Sequence, residues 1–436
     1  MLWQTITTIA VVLLGPALAQ TAKTYPFPSS CASIAASKYQ FSLDSTWKAT
    51  KILGGSALKQ PRTIIFDTAG NLLVLQATKG VSVHTFDASG CIASSTVIIS
   101  NTRLNHGLTL TPDGKTLYAS SETTAWSWSY DPATMKATNQ QTIVKSISTG
   151  IHSTRTILVV PQAPNYIILQ AGSNGNWDYA AGSASAGRAI VKVFDLSKVP
   201  SGGYDYNTAG AVLGYGLRNE VALAFDPAGN VWGAENSGDD FRRTMNGQAT
   251  DIHIDNPAEE LNYLGDPLNP AGTWFGYPTC FTAWSAIQSL KTGDQFVVTP
   301  NTSFTDANCV GKSTPPRLSF PAHSAPITNI FDKDGKNMYI TMHGSWDRNP
   351  AIGYKVVEVP FAKLASGLYD PVATRDSQKG WNDIMWANNV GSCQSQSLTI
   401  SSCLRLAALA WDPSYSKLFV SSDNNSEGEI WVLAKK

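Results

Sequence analysis

Arg62, Asn105-His106, His152 with Arg155, Arg218-Asn219, His323-Ser324 and Arg405 each stand just before or within a short apolar segment. A second polar series follows such segments: Gln76 with Lys79, Gly172-Ser-Asn, Glu235-Asn-Ser-Gly-Asp-Asp, His343-Gly-Ser-Trp-Asp-Arg348, and Ser422-Asp423. A guanidinium is always charged and offers a two-pronged fork to carboxylate or phosphate. Taken singly, each arginine has a plainer use, bridging the backbone carbonyls of neighbouring segments. Gathered in one place, several would repel one another unless an anion compensates them. The set therefore points to a small ligand with several carboxylates or phosphates. A glycine-rich phosphate loop opening a helix is missing, which weakens nucleotides as candidates. A neutral histidine in such company is suited to taking a proton near neutral pH.

These residues lie far apart in sequence, so something must bring them together. The candidate is a repeated phrase: an apolar pair, Asp, one or two turn residues, Gly or Asn, then an apolar strand. It occurs as IIFDTAGNLLVLQ (64–76), LTLTPDGKTLYAS (108–120), ALAFDPAGNVWGAE (222–235), NIFDKDGKNMYIT (329–341) and ALAWDPSYSKLFVSS (408–422). A degenerate copy, ILVVPQAPNYIILQ, spans 157–170. Each copy reads as a hairpin, because Asp and Gly supply turn conformations between β-branched or aromatic flanks. The spacing starts at about 45 residues, the length of one four-stranded blade, and widens between Gly229 and Gly335, where loops must be inserted. The expected fold is all-β, a six-bladed β-propeller; a tandem of β-sandwiches is the alternative. In a propeller the start of one strand and the end of its hairpin partner share an edge, so both polar series converge on one mouth.

Composition agrees with this architecture and narrows the partners. The chain of 436 residues carries 32 Lys+Arg and 32 Asp+Glu, and its 15% of charged residues is below the usual share of roughly 25%. Without a basic footprint, nucleic acid is excluded as an expected partner. Residues 1–19 read as a secretory signal peptide: an apolar stretch from Ile6 to Leu14, then Ala17 and Ala19 before Gln20. That leaves 20–436 as a single propeller domain, secreted, with no later segment long and apolar enough to cross a membrane. Six cysteines suit an oxidising compartment and allow fifteen pairings, which sequence does not decide. Proximity favours Cys393–Cys403 and Cys280–Cys309, leaving Cys31 for Cys91. Asn301 and Asn424 head N-glycosylation acceptors and should be at the surface if used.

Several of these motifs resemble the quinoprotein sugar dehydrogenases, in particular the fungal secreted pyranose dehydrogenases of auxiliary-activity family twelve. The resemblance is carried by His152-Ser-Thr-Arg155, Gly216-Leu-Arg-Asn-Glu220, Ala234-Glu-Asn-Ser-Gly238, Ala322-His-Ser-Ala-Pro326, His343-Gly-Ser-Trp-Asp-Arg348, and Arg405 with Ser422-Asp423. It covers essentially the whole mature chain. It implies pyrroloquinoline quinone (PQQ) as cofactor, whose three carboxylates would answer the arginines. By motif position, Arg155, Arg218, Arg348 and Arg405 would hold carboxylates and quinone oxygens, Asn219 would add an amide, and His343 and Trp346 would complete the cofactor contacts. Calcium would take backbone carbonyls from Asn236, Ser237 and Gly238, an oxygen-rich loop followed by Asp239 and Asp240. His152 would be the catalytic base, nine residues before Pro161 as in soluble glucose dehydrogenase. His106 is the rival.

The implied reaction is oxidation of a pyranose or keto-sugar hydroxyl, at or near the anomeric carbon, by hydride transfer to calcium-activated PQQ. With no cytochrome or cellulose-binding stretch in the sequence, the electrons are expected to reach a separate acceptor, a cytochrome or a copper polysaccharide monooxygenase. A monomer is the expectation. The third turn, Gln162-Ala-Pro-Asn165, departs from the bacterial Pro-Asp-Gly. Two other readings remain: a calcium-dependent lactonase using Glu235 and Asn219, and a noncatalytic carbohydrate-binding propeller stacking sugars on exposed Trp177, Trp274 and Trp346.

Overall fold

The computed structural model describes residues 23–32, 34–55, 58–393 and 401–436, so the signal peptide expected at 1–19 lies outside the described residues. Each of the six hairpins forms the inner half of a four-stranded antiparallel blade. The hairpins are 61–66 with 72–76, 104–110 with 116–121, 157–159 with 166–171, 222–225 with 231–235, 326–331 with 337–342, and 406–411 with 418–422. The turn chemistry is the one the sequence implies. Asp67 Oδ1 accepts from the N–H groups of Ala69 and Asn71, and Asp226 Oδ1 does the same for Ala228 and Asn230. Gly70 and Gly229 take the left-handed conformation that completes each turn (φ 84° and 87°).

First strands of neighbouring blades pack together around the axis. Side chains then tie each blade to the next one's innermost backbone. Thr63 donates to the His106 carbonyl, Ser120 to Arg155, Thr156 to Val221, Asn236 to Pro326, Thr341 to Ala407, and Ser421 back to Pro61. The ring is closed by strand exchange. Trp47–Gly54 completes the last blade by pairing antiparallel with Glu429–Lys435, and Phe41–Leu43 adds an outer strand to the fifth blade along Asn382–Ala387. Apolar residues from adjacent blades fill the spaces between sheets, as where Trp232 meets Phe361 edge to face at 5.0 Å.

The widened interval holds an insertion that the sequence pattern did not resolve. It contains the hairpins Arg242–Met245/Gln248–Asp251 and Cys280–Thr282/Gln295–Val297 and the helix Asp306–Lys312. Phe241, Tyr277, Phe281 and Phe296 form its own small core, against which Trp177 packs. Trp177 and Trp274 are thus partly buried packing residues, and Trp346, 49% exposed, is the one of the three available for stacking. The disulfides are Cys31–Cys91, Cys280–Cys309 and Cys393–Cys403. Asn301 is exposed, whereas Asn424 is 1% exposed and donates its amide to the Ser401 and Cys403 carbonyls, so the surface expectation for Asn424 is wrong.

At the closing seam, Lys51 Nζ lies 2.7 Å from both Glu427 and Glu429, with side-chain exposures of 6%, 7% and 0%. Lys51→Met would leave Glu429 buried beside Glu427 without its cation. It should cost roughly 3–5 kcal/mol in urea unfolding. A loss below about 1 kcal/mol would show that the seam does not depend on this cluster.

Candidate active site

Both polar series converge as the propeller geometry requires, around a cavity of about 370 Å3 at one end of the channel. The larger space at the opposite end, about 880 Å3, is rimmed by the hairpin turns, whose aspartates are engaged by those turns themselves. The chemistry therefore belongs to the smaller cavity. Of the residues singled out in sequence, His152, Arg218, Asn219, Asn236, Ser237, His343, Trp346 and Arg405 line it, and so do Arg62, Asn105, Asp239, His323 and Asp423.

His152 sits in the loop leading into the third blade. Its Nδ1 meets the Ser173 carbonyl at 3.1 Å and hydroxyl at 2.9 Å. Donation to that carbonyl puts the proton on Nδ1 and leaves Nε2 as the basic atom. Burial, with Arg218 nearby, lowers its pKa from 6.5 to about 3, so the ring is neutral. The rival His106 is 3% exposed and does not line the cavity.

The arginines divide into two kinds. Arg218 is held on the cavity wall by Asp239 (2.6 Å), Asn176 (2.8 Å) and the Asn236 carbonyl (3.1 Å), while its Nε is buried without a partner among the described residues. Arg405 donates to the Gly344 carbonyl and to His343 Nδ1, at 3.0 and 2.8 Å. Arg155 is different. Fully buried, it donates to the carbonyls of Glu122, Ser148, His152 and Thr154, so it braces the His152 loop from behind and does not reach the cavity. Arg348 likewise lies off the wall, tied to the Ile254 carbonyl and Asp255, and Gly238 packs against the Phe241 ring. Arg155 and Arg348 thus stand behind the cavity wall, not on it.

Asp423, completely buried, accepts from His343 Nε2 at 2.6 Å and pairs with Arg62. Because Arg405 can only donate to Nδ1, His343 must be the neutral tautomer protonated at Nε2. Burial and the Arg405 charge accordingly lower its pKa to about 4. Although burial opposes ionisation of Asp423, His343 and the arginines hold its carboxyl far below the ordinary range.

Opposite lies Glu259, which the motifs did not reveal. It accepts from the backbone N–H groups of Ser237 (2.7 Å) and Ala325 (3.1 Å), and burial pushes it up to about 7. Beneath Arg218, Glu235 accepts its backbone N–H at 2.7 Å. Burial, reinforced by Glu260, raises Glu235 and Glu220 well above the usual carboxylate range. Asp239, His323 and Asp347 place one ligand atom each within 4.8 Å of one another, next to the 236–238 loop. This corner could hold a cation.

The family model described as TrAA12-like matches residues 41–436. The chain is 40% identical over 413 residues to the pyrroloquinoline quinone-dependent pyranose dehydrogenase of Coprinopsis cinerea, covering 93% of this chain and 56% of that one. It thus spans little more than half the length of that relative. The holo structure of the PQQ domain of Coprinopsis cinerea pyranose dehydrogenase superposes with a TM-score of 0.89 at 40% identity, covering 94% of this chain and all of that one. A calcium structure of a Trichoderma reesei family AA12 carbohydrate-active enzyme does so with a TM-score of 0.85 at 33% identity, covering 93% and 100%. The match extends over every blade of the propeller, and the chain belongs to the TrAA12-like family.

Proposed function

We propose that the protein is a secreted PQQ- and calcium-dependent dehydrogenase of pyranoses or keto-sugars. One observation carries the reading: three arginines, Arg62, Arg218 and Arg405, face one cavity that also presents a neutral histidine whose basic nitrogen is unclaimed among the described residues. The names of the Coprinopsis relatives support it. The donor set suits a polycarboxylate quinone. Arg62, Arg218 and Arg405 would hold its carboxylates and oxygens, helped by Asn219, and the buried unpartnered Nε of Arg218 supplies a donor in search of an acceptor. Carbonyls of the 236–238 loop, with Asp239 alongside, would hold calcium, a cation that seeks oxygen. When bound, the quinone supplies the hydride-accepting redox chemistry.

The chain's own residues perform the proton work. His152 Nε2 takes the proton of the sugar hydroxyl as the carbon beneath it is oxidised, and Ser173 fixes the ring through Nδ1. Arg155 keeps the loop in place by holding the His152 carbonyl itself. Trp346 at the mouth offers an indole face to a sugar. Electrons would leave to an external acceptor, a cytochrome or a copper polysaccharide monooxygenase. A metal-dependent lactonase is the second reading, favoured by the Asp239, His323 and Asp347 cluster.

Reconstitution separates the two. With calcium and PQQ the protein should reduce an artificial acceptor with a pyranose or keto-sugar; lactone hydrolysis with calcium alone, and no dehydrogenation, would favour the lactonase. His152→Ala should bind quinone like the parent and lose activity by roughly 100-fold or more, the scale of general-base catalysis. Retained turnover would remove His152 from the base role.

The pH profile gives a separate check. The folded value of about 3 lies below the ordinary 6.5, so the base form of His152 persists as pH falls through 6.5. At this residue protons then bind the unfolded chain in preference, and the contribution of His152 to stability declines as pH falls from 6.5 toward 3. In a Glu259→Gln variant, which removes the cavity carboxyl pushed up to about 7, we expect kcat/KM to hold between about pH 7 and 5. A kcat/KM that titrates at the ordinary histidine value would contradict this.

A further inference from the structure

Four of the six inner hairpin turns share one construction, in which a glycine donates its N–H back across the turn: Gly70 to Asp67, Gly114 to Thr111, Gly229 to Asp226 and Gly335 to Asp332. All four are left-handed, with φ from 68° to 87°. In the sixth blade the same bond runs from Tyr415 to the Asp412 carbonyl at 2.8 Å, and Tyr415 sits at φ 56°. A bulky side chain is strained in that conformation. The strand entering this turn departs as well. Trp411 closes its ladder where the other blades place Phe66, Leu110, Val159, Phe225 and Phe331.

Both departures meet on the wall of the cavity of about 880 Å3 at the far end of the channel. The Trp411 and Tyr415 rings stack, with centroids 6.3 Å and planes 29° apart, and Tyr415 is 49% exposed. Full burial of a ring can offset backbone strain, but half of this one is left in solvent. The surroundings are mixed. Ile65, Leu158 and Ile330 give the cavity apolar wall, and Asp113 and Lys333 stand exposed on its rim. Asp113 accepts from Thr111 and Lys115 through Oδ1 alone among the described residues, which leaves Oδ2 for a hydroxyl. A pyranose with equatorial hydroxyls matches this pairing, because its ring faces are apolar and its edge is polar. The aspartates of the turns ring the same space, which disfavours acidic saccharides.

We infer that this far-end cavity is a second, noncatalytic binding site, for a neutral polysaccharide of gluco- or xylo-configured pyranoses, with Trp411 and Tyr415 as its stacking platform. The strain at Tyr415 is the cost of holding an aromatic ring at the rim where the sister turns carry no side chain. The cavity lined by His152 and the arginines opens at the other end of the channel. A protein held on a polysaccharide through Tyr415 therefore keeps that mouth free. The platform shares no residue with the proposed dehydrogenase site and does not rest on it.

Native electrophoresis in gels cast with increasing soluble β-glucan or xylan tests this. The parent should be retarded by at least one of the two polysaccharides. Tyr415→Gly should fold, since glycine holds the same place in four sister turns, and should bind roughly tenfold more weakly. Trp411→Phe, which restores the residue of the first, fourth and fifth blades, should weaken binding as well. Raising salt to about 0.5 M should leave the parent's retardation unchanged, because stacking is not screened. A parent that migrates alike in every gel would overturn the inference and leave the two rings a packing pair. Full retardation of Tyr415→Gly would overturn it too, by placing the polysaccharide elsewhere on the surface. Retardation abolished by salt would point to a charged patch in place of the rings, with the same consequence.

Discussion

The active mouth depends on closure of the ring. Each blade donates one side-chain hydrogen bond to the innermost backbone of the next, from Thr63 onward until Ser421 returns to Pro61. A buried acceptor released from such a bond would lose on the order of 1–3 kcal/mol, so each link resists slippage between blades. The links also lie close to the chemistry. Thr63 neighbours Arg62, Thr156 neighbours Arg155, and Asn236 belongs to the loop read as the cation site. Fixing the angular spacing of the blades fixes where the arginines point.

Closure creates the electrostatic problem that the site then solves. Three guanidiniums brought to one cavity would repel, and the protein answers with Asp239 and Asp423, each placed against a particular arginine. Neutral members complete the arrangement. His343 relays Asp423 to Arg405 without adding charge, burial and Arg218 hold the His152 ring neutral, and burial pushes Glu220 and Glu235 well above the usual carboxylate range. The formal net charge of zero for the whole chain conceals this local excess of arginine.

Much of the fold was legible because its turns repeat. Asp67, Gly70, Asp226 and Gly229 do local work, and local work leaves a local pattern. His152, Arg218 and Arg405 were readable for the same reason, since a recurrent strand edge carries them. Arg155 stands behind the wall because the carbonyls of Glu122, Ser148, His152 and Thr154 take up its guanidinium, an engagement without a local sequence pattern. Arg348 stands off the wall, and its partners, Ile254 and Asp255, belong to an insertion without periodicity. Glu259 stands beside Glu260 in one strand, and alternation alone cannot say which acid faces the cavity. Asp423 meets Arg62 across 361 residues of sequence. The acceptor motif at Asn424 carries no information on burial, which the fold imposed.

The central claim is that this arginine-lined cavity is a site for a polycarboxylate quinone accompanied by a divalent cation. Isothermal titration calorimetry of PQQ into the calcium-loaded protein tests it most directly. The account expects one quinone per chain, with Arg218→Ala weakening binding by about 2–5 kcal/mol, the cost of removing one partner of a buried charge pair. Absence of binding, or binding unchanged by loss of Arg218, would contradict it.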